Sequence, residues 1–201
     1  MSSQSDNQSD IQSDDQAINI ALFDMDGTLA DYHDSMVREL ARLSCPTEPV
    51  IDLDQNSPPD YLRARMDLIK ARPGWWYGLE PLKSGFDILR VAENVGFDIH
   101  ILTKAPRNHS LAWKEKVEWC SRHLGPDTNV HITQDKGMVY GTVLVDDTPD
   151  FMLRWLRWRP RGLGIMPVAS YNAAFSHPSV IRYDGTNLDE VEEALQRVKR
   201  R

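Results

Sequence analysis

The chain has 201 residues, 41% hydrophobic and 26% charged, with a formal net charge of -7 at pH 7. That length holds one domain with a large core plus a small insertion, and no apolar run nears the roughly 20 residues a membrane span needs. The acidic balance speaks against a protein that coats nucleic acid, but not against one that holds a small phosphorylated substrate with a local group of cations.

The first ten residues, MSSQSDNQSD, have neither the basic nor the apolar region of a secretory signal, so a cytoplasmic setting is expected. Residues 1–16 repeat Gln-Ser-Asp three times and carry four acids and no base. Such a stretch buries too little to offset its ordering entropy and is expected to be a disordered tail. An apolar run from Ile18 to Phe23 then meets Asp24-Met25-Asp26-Gly27, the pattern of a buried strand entering a tight turn. Helical spacing follows at Asp34–Leu43 and Pro59–Arg72, between proline-rich joints.

Beyond Pro81, helical patterns (Pro81–Asn94, His109–Leu124, Pro149–Trp158, Leu188–Val198) alternate with short apolar runs. Those runs are Phe97–Leu102, Val130–Thr133, Thr142–Val145, Gly162–Pro167 and Val180–Tyr183. Alternation of this kind predicts an α/β fold, a parallel sheet covered by helices on both faces. Residues 17–30 and 81–201 form its core domain, and residues 31–80 are a helical cap insertion placed to roof the tip of the first strand. Ligands in such sheets collect beyond the carboxyl ends of the strands.

The chemistry is expected at those ends. Asp24 and Asp26 are two carboxylates projecting from one strand tip, with Gly27 letting the chain turn. Asp24 can attack phosphorus while Asp26 protonates the leaving oxygen; the bland alternative is an ordinary Asp-Gly turn. The next strand ends at Thr103-Lys104, where a hydroxyl and backbone N–H groups can hold phosphate oxygens. Lys136 is a cation on a third loop. Asp146-Asp147 end a fourth strand, and adjacent carboxylates repel unless a cation sits between them and Asp24. A hard ion with oxygen ligands, Mg2+, fits that need. Each signal is modest, but their order along the chain is hard to obtain by chance.

In that order the motifs resemble those of the haloacid dehalogenase superfamily: Asp24 and Asp26, then Thr103, then Lys136, then Asp146-Asp147. The resemblance implies a Rossmann-like fold with a cap. It also implies Mg2+ held by the Asp24 carboxylate, the Asp26 backbone carbonyl and Asp146, with Asp147 supporting. Asp24–Tyr32, Pro73–Pro81, Trp119–Pro126, Asp135-Lys136 and Leu144–Asp147 further resemble the 5'(3')-deoxyribonucleotidase family, over roughly residues 18–150. That likeness implies hydrolysis of nucleoside 5'-monophosphates, often deoxy and often pyrimidine. The chain departs from the family at Lys104, where serine is common, at Tyr32 in place of phenylalanine, and at Trp75-Trp76 in place of two phenylalanines.

Tyr32, Trp75 and Trp76 flank the cap and are candidates to stack on a base, a contact worth roughly 1–3 kcal/mol; the alternative for the two tryptophans is packing of cap on core. Trp113, Trp119, Trp155 and Trp158 fall on amphipathic helices and are expected in the core. His100 lies inside a strand and is expected to be a core residue, and no histidine shows metal-ligand spacing. Arg154, Arg157, Arg159 and Arg161 are expected on a solvated helix face. Cys45 and Cys120 are expected as free thiols, with no zinc site. The expected partner is a small nucleoside monophosphate, with no membrane, no stable nucleic-acid partner, and a homodimer left open. Two other readings remain at this point: a 3'-phosphatase of nucleic-acid ends, and a catalytically silent binding module.

Overall fold

The computed structural model describes residues 19–49, 53 and 58–200; the tail expected over residues 1–16 lies outside them. Strands β1 (Ile20–Phe23), β2 (Asp98–Thr103), β3 (Asn129–Ile132), β4 (Val143–Val145), β5 (Leu163–Pro167) and β6 (Val180–Tyr183) make one sheet in the order β3-β2-β1-β4-β5-β6. Every pairing is parallel. The helices are α1 (Tyr32–Leu43), α2 (Asp60–Ala71), α3 (Lys83–Val95), α4 (Ser110–Leu124), α5 (Pro149–Leu156) and α6 (Leu188–Lys199).

Alternation along the strands decides which helix covers which face. Ala21 and Phe23 of β1, with Val143 and Val145 of β4, pack with residues of α3 and α6 such as Ile88 and Leu195. Leu22 and Leu144 point the other way and meet Met152 and Trp155 of α5. The central strands are therefore apolar on both faces, as a doubly covered parallel sheet requires.

The chain crosses from one side of β1 to the other between β3 and β4, so the strand order reverses at the β1–β4 boundary. That boundary is where an open α/β sheet offers a crevice. Register aligns the two strand tips there: Phe23 pairs with Val145, and the Asp24 amide donates to the Val145 carbonyl at 2.8 Å.

Helices α1 and α2 lie between β1 and α3. The chain leaves and returns on adjacent backbone, since Ala30 bridges Pro81 in antiparallel fashion and the Asp31 amide donates to the Glu80 carbonyl at 2.8 Å. Asp31 also caps α1, its carboxylate accepting from the Asp34 amide at 3.1 Å.

Some sequence expectations need correction. Trp119 and Trp155 are fully buried, but Trp158 is 67% exposed and Trp113 is partly exposed, its indole N–H donating to the Pro106 carbonyl. His100 is half-buried near the sheet edge, where its ring lies 5.1 Å from that of His131 and hydrogen-bonds it. Arg159 is no surface residue of a helix: it donates to the carbonyls of Gly137 and Val139 and ties down the turn that carries Lys136. Both cysteines are free, as expected.

Helix α3 approaches the loop after β1 so closely that a Cβ on Gly85 would overlap the Thr28 carbonyl. Gly85→Ala should therefore lower stability by about 1–3 kcal/mol in chemical denaturation, the usual range for overpacking. Unchanged stability would mean that α3 does not press on that loop.

Candidate active site

Three carboxylates gather at the β1–β4 boundary. Asp24, Asp146 and Asp147 are all buried, and each offers an oxygen within 4.8 Å of the others. Lys136, also buried, reaches them from the 3-10 turn after β3, with its ammonium 2.7 Å from Asp24 Oδ1 and 2.7 Å from Asp146 Oδ2. The Met25 amide donates to the same Asp24 oxygen at 2.7 Å, which fixes the carboxylate at the strand tip. Gly27 has φ 81°, and a Cβ there would overlap Asp147 Oδ2, so the turn needs glycine for its conformation and its clearance. Thr28 and Tyr171 hold Asp147, donating to Oδ1 at 3.3 Å and to Oδ2 at 2.6 Å.

One lysine cannot neutralise three carboxylates, and burial adds to the cost of their charge. Burial pushes the Asp146 carboxyl up, Lys136 pulls it partly back, and the Asp24 charge adds to the rise, to about 7. Asp147 is raised well above its ordinary value by burial and then by Asp146 and Asp24. Burial works against the charge of Lys136, yet Asp146 and Asp24 outweigh it and hold the ammonium above the ordinary lysine value. The donor set is all oxygen, anionic and compact, and it fits a hard divalent cation.

Asp26 stands apart from that cluster. It pairs with Lys116, a fully buried residue of α4 whose ammonium also donates to Thr103 Oγ1 at 3.1 Å. Burial raises the Asp26 carboxyl above its ordinary value, Lys116 offsets part of the rise, and Asp24 adds to it. A carboxyl held toward its protonated form is suited to giving up a proton.

A cavity of about 730 Å³ opens above the cluster. Asp24, Asp26, Lys136 and Asp147 form its floor, Lys104, Arg107 and Gln134 stand on one side, and Tyr32, Met66, Lys70 and Trp76 on the other. The Tyr32 and Trp76 rings stack with centroids 5.8 Å apart. Trp75 is not part of the wall; it meets Tyr32 and Trp76 edge-on from behind. Thr103, expected to face the phosphate, is likewise absent from the wall and is engaged by Lys116.

Sequence reasoning did not find Lys116, Glu115, Thr28 or Tyr171. The available signal for the first two was position: Ala112, Glu115, Lys116, Trp119 and Cys120 recur at helical spacing on the buried side of α4. Tyr171 lies in a 3-10 turn after β5 and carries no pattern, although it lines the same cavity.

The sequence model of the family described as 5' nucleotidase, deoxy (pyrimidine), cytosolic type C protein matches residues 18–197. The human cytosolic-type 5'(3')-deoxyribonucleotidase is 31% identical over 139 residues, spanning 63% of this chain and 69% of that protein. The human mitochondrial 5'(3')-deoxyribonucleotidase is 30% identical over 142 residues, spanning 64% of this chain and 62% of that protein. A solved haloacid dehalogenase-like hydrolase from Burkholderia xenovorans shares the fold, with a TM-score of 0.52 at 14% identity over 88% of this chain and 98% of that one.

The raised carboxyls give a signed pH effect. While protonated they favour the folded, cation-free protein, and that contribution is lost as pH rises from the ordinary carboxylate value of about 3.9 through the Asp146 value of about 7. Cation-free protein should therefore melt lower at pH 8 than at pH 5.5, and added magnesium should raise the melting temperature more at pH 8. A magnesium shift independent of pH would contradict the assignment.

Proposed function

The chain belongs to the cytosolic type C family of 5' nucleotidases, and from that premise we propose that it hydrolyses nucleoside 5'-monophosphates, deoxyribonucleotides among them, through an aspartyl-phosphate on Asp24. The observation that carries this reading is the convergence of Asp24, Asp26 and Lys136 on the floor of one cavity with aromatic rings on its wall. Asp24 and Asp146, with the Asp26 backbone carbonyl and Asp147, would hold a magnesium ion, which when bound would supply charge neutralisation to the phosphate.

The protein groups then take distinct parts. Lys136 fixes the Asp24 carboxylate and adds positive charge next to the phosphate. Lys104 and the backbone of its loop contact the outer phosphate oxygens. Asp24 attacks phosphorus in line, and Asp26 protonates the departing ribose oxygen. Asp26 next takes a proton from water, which cleaves the aspartyl-phosphate. Tyr32 stacks on the base, with Trp76 stacked against it from the cavity wall and Trp75 meeting both rings edge-on. Residues 31–80 act as the cap, closing over the cavity to exclude water. A cytoplasmic setting goes with this reading; no helix among the described residues is long and apolar enough to cross a membrane.

A phosphate-release screen across nucleoside monophosphates and oligonucleotide ends, with and without magnesium, tests the reading. Magnesium-dependent release from mononucleotides is expected, and release from oligonucleotide ends alone would contradict it. Asp24→Asn should abolish turnover while leaving the melting profile intact; retained turnover would remove Asp24 from its role. Tyr32→Ala should raise KM for nucleotides several-fold more than for a small phosphate ester, and equal effects would mean that the ring does not meet the base.

A further inference from the structure

Lys116 belongs to neither the carboxylate cluster nor the cavity wall, yet the fold buries it completely. An ammonium carried away from water is costly unless it is paired and hydrogen-bonded. Here it meets Asp26 Oδ2, Thr103 Oγ1 at 3.1 Å, and the face of the Trp76 ring, 4.2 Å from its centroid. The neighbouring residue secures that ring from the same turn of α4: Glu115 accepts from the Gly74 amide at 2.6 Å and the Trp76 amide at 3.2 Å. Lys116 is thus held by the turn after β1, the tip of β2 and an aromatic loop at once.

The consequence falls on Asp26. Its Oδ2 is taken by Lys116, while its Oδ1 is buried without a hydrogen-bond partner, and the residue borders the cavity. Buried carboxylate oxygens are nearly always satisfied, so an orphan at a cavity floor is placed for an atom that arrives with the substrate. We propose that Lys116 is a positioning residue for the acid step, holding Asp26 by Oδ2 so that Oδ1 faces the leaving oxygen, with Thr103 and Trp76 holding Lys116 in turn. The proposal rests on the reading of Asp26 as the acid. As the bond from phosphorus to the ribose oxygen breaks, the Asp26 proton passes to that oxygen. The negative charge that then appears on Asp26 meets an ammonium already in place, so it needs no new counter-ion or reorganised solvent at that moment.

The test compares two leaving groups. A nucleoside monophosphate releases a poor, alcohol-type leaving group that needs the proton, whereas p-nitrophenyl phosphate releases a stable anion that does not. The ratio kcat/KM reads through the first chemical step, before water enters. Lys116→Met should lower kcat/KM for the nucleotide on the order of 10²-fold or more, the contribution expected of a positioned acid, and far less for the aryl ester. Thr103→Val, which keeps the shape of the strand tip, should show the same selective loss to a smaller degree, and it supplies the comparison should Lys116→Met fail to fold. Equal losses on both esters, or none on either, would overturn the proposal. Wild-type protein that cleaves neither ester would instead sink the reading on which it stands.

Discussion

Three buried carboxylates share one buried lysine, and the rest of the site follows from that imbalance. Like charges a few ångströms apart inside a protein repel far more than in water. The fold imposes the arrangement nonetheless, because β1 and β4 are neighbours in register and each releases its aspartates at the same level. Lys136 offsets part of the excess. What remains is a strong local preference for a cation, at a place where backbone amides and side-chain hydroxyls hold the carboxylates still. The Gly27 turn and the grip of Thr28 and Tyr171 on Asp147 are best understood as keeping the repelling groups in place.

Two buried lysines divide the electrostatic work. Lys136 serves the carboxylate cluster, and Lys116 serves Asp26 alone. Separate counter-charges let two aspartates two residues apart have different chemistry. Asp24 is tied to a cation and a backbone amide. Asp26 is pushed toward its protonated form by burial and by the nearby Asp24 charge, with Lys116 offsetting only part of the rise. Differing surroundings of this kind are a general route to two roles in one site, which is what the proposed nucleophile and acid require.

Much of this was legible in the sequence. Strand and helix limits fall within two residues of the apolar and amphipathic patterns, because a doubly covered sheet needs continuous apolar strands and one-faced helices. Asp24, Asp26, Lys136 and Asp146-Asp147 could be picked out because each follows a strand, and parallel strands bring such positions to one edge. Lys116 and Glu115 were hidden for the opposite reason: charged residues in an amphipathic helix are normally solvated, and only their place in the buried stripe marks them. Trp75 and Trp76 are adjacent in a loop without a period, so no pattern told which of them faces the cavity. Thr103 ends a strand and faces inward rather than upward, which needed the partner on α4 to be seen.

The most direct test of the central claim is to look for the phosphorylated enzyme itself. Protein turning over a nucleoside monophosphate would be quenched in acid, digested and mapped by mass spectrometry. The account predicts one added phosphoryl group on the peptide bearing Asp24, labile to hydroxylamine as an acyl phosphate is. A phosphoryl group on another side chain, or active enzyme that never carries one, would contradict it.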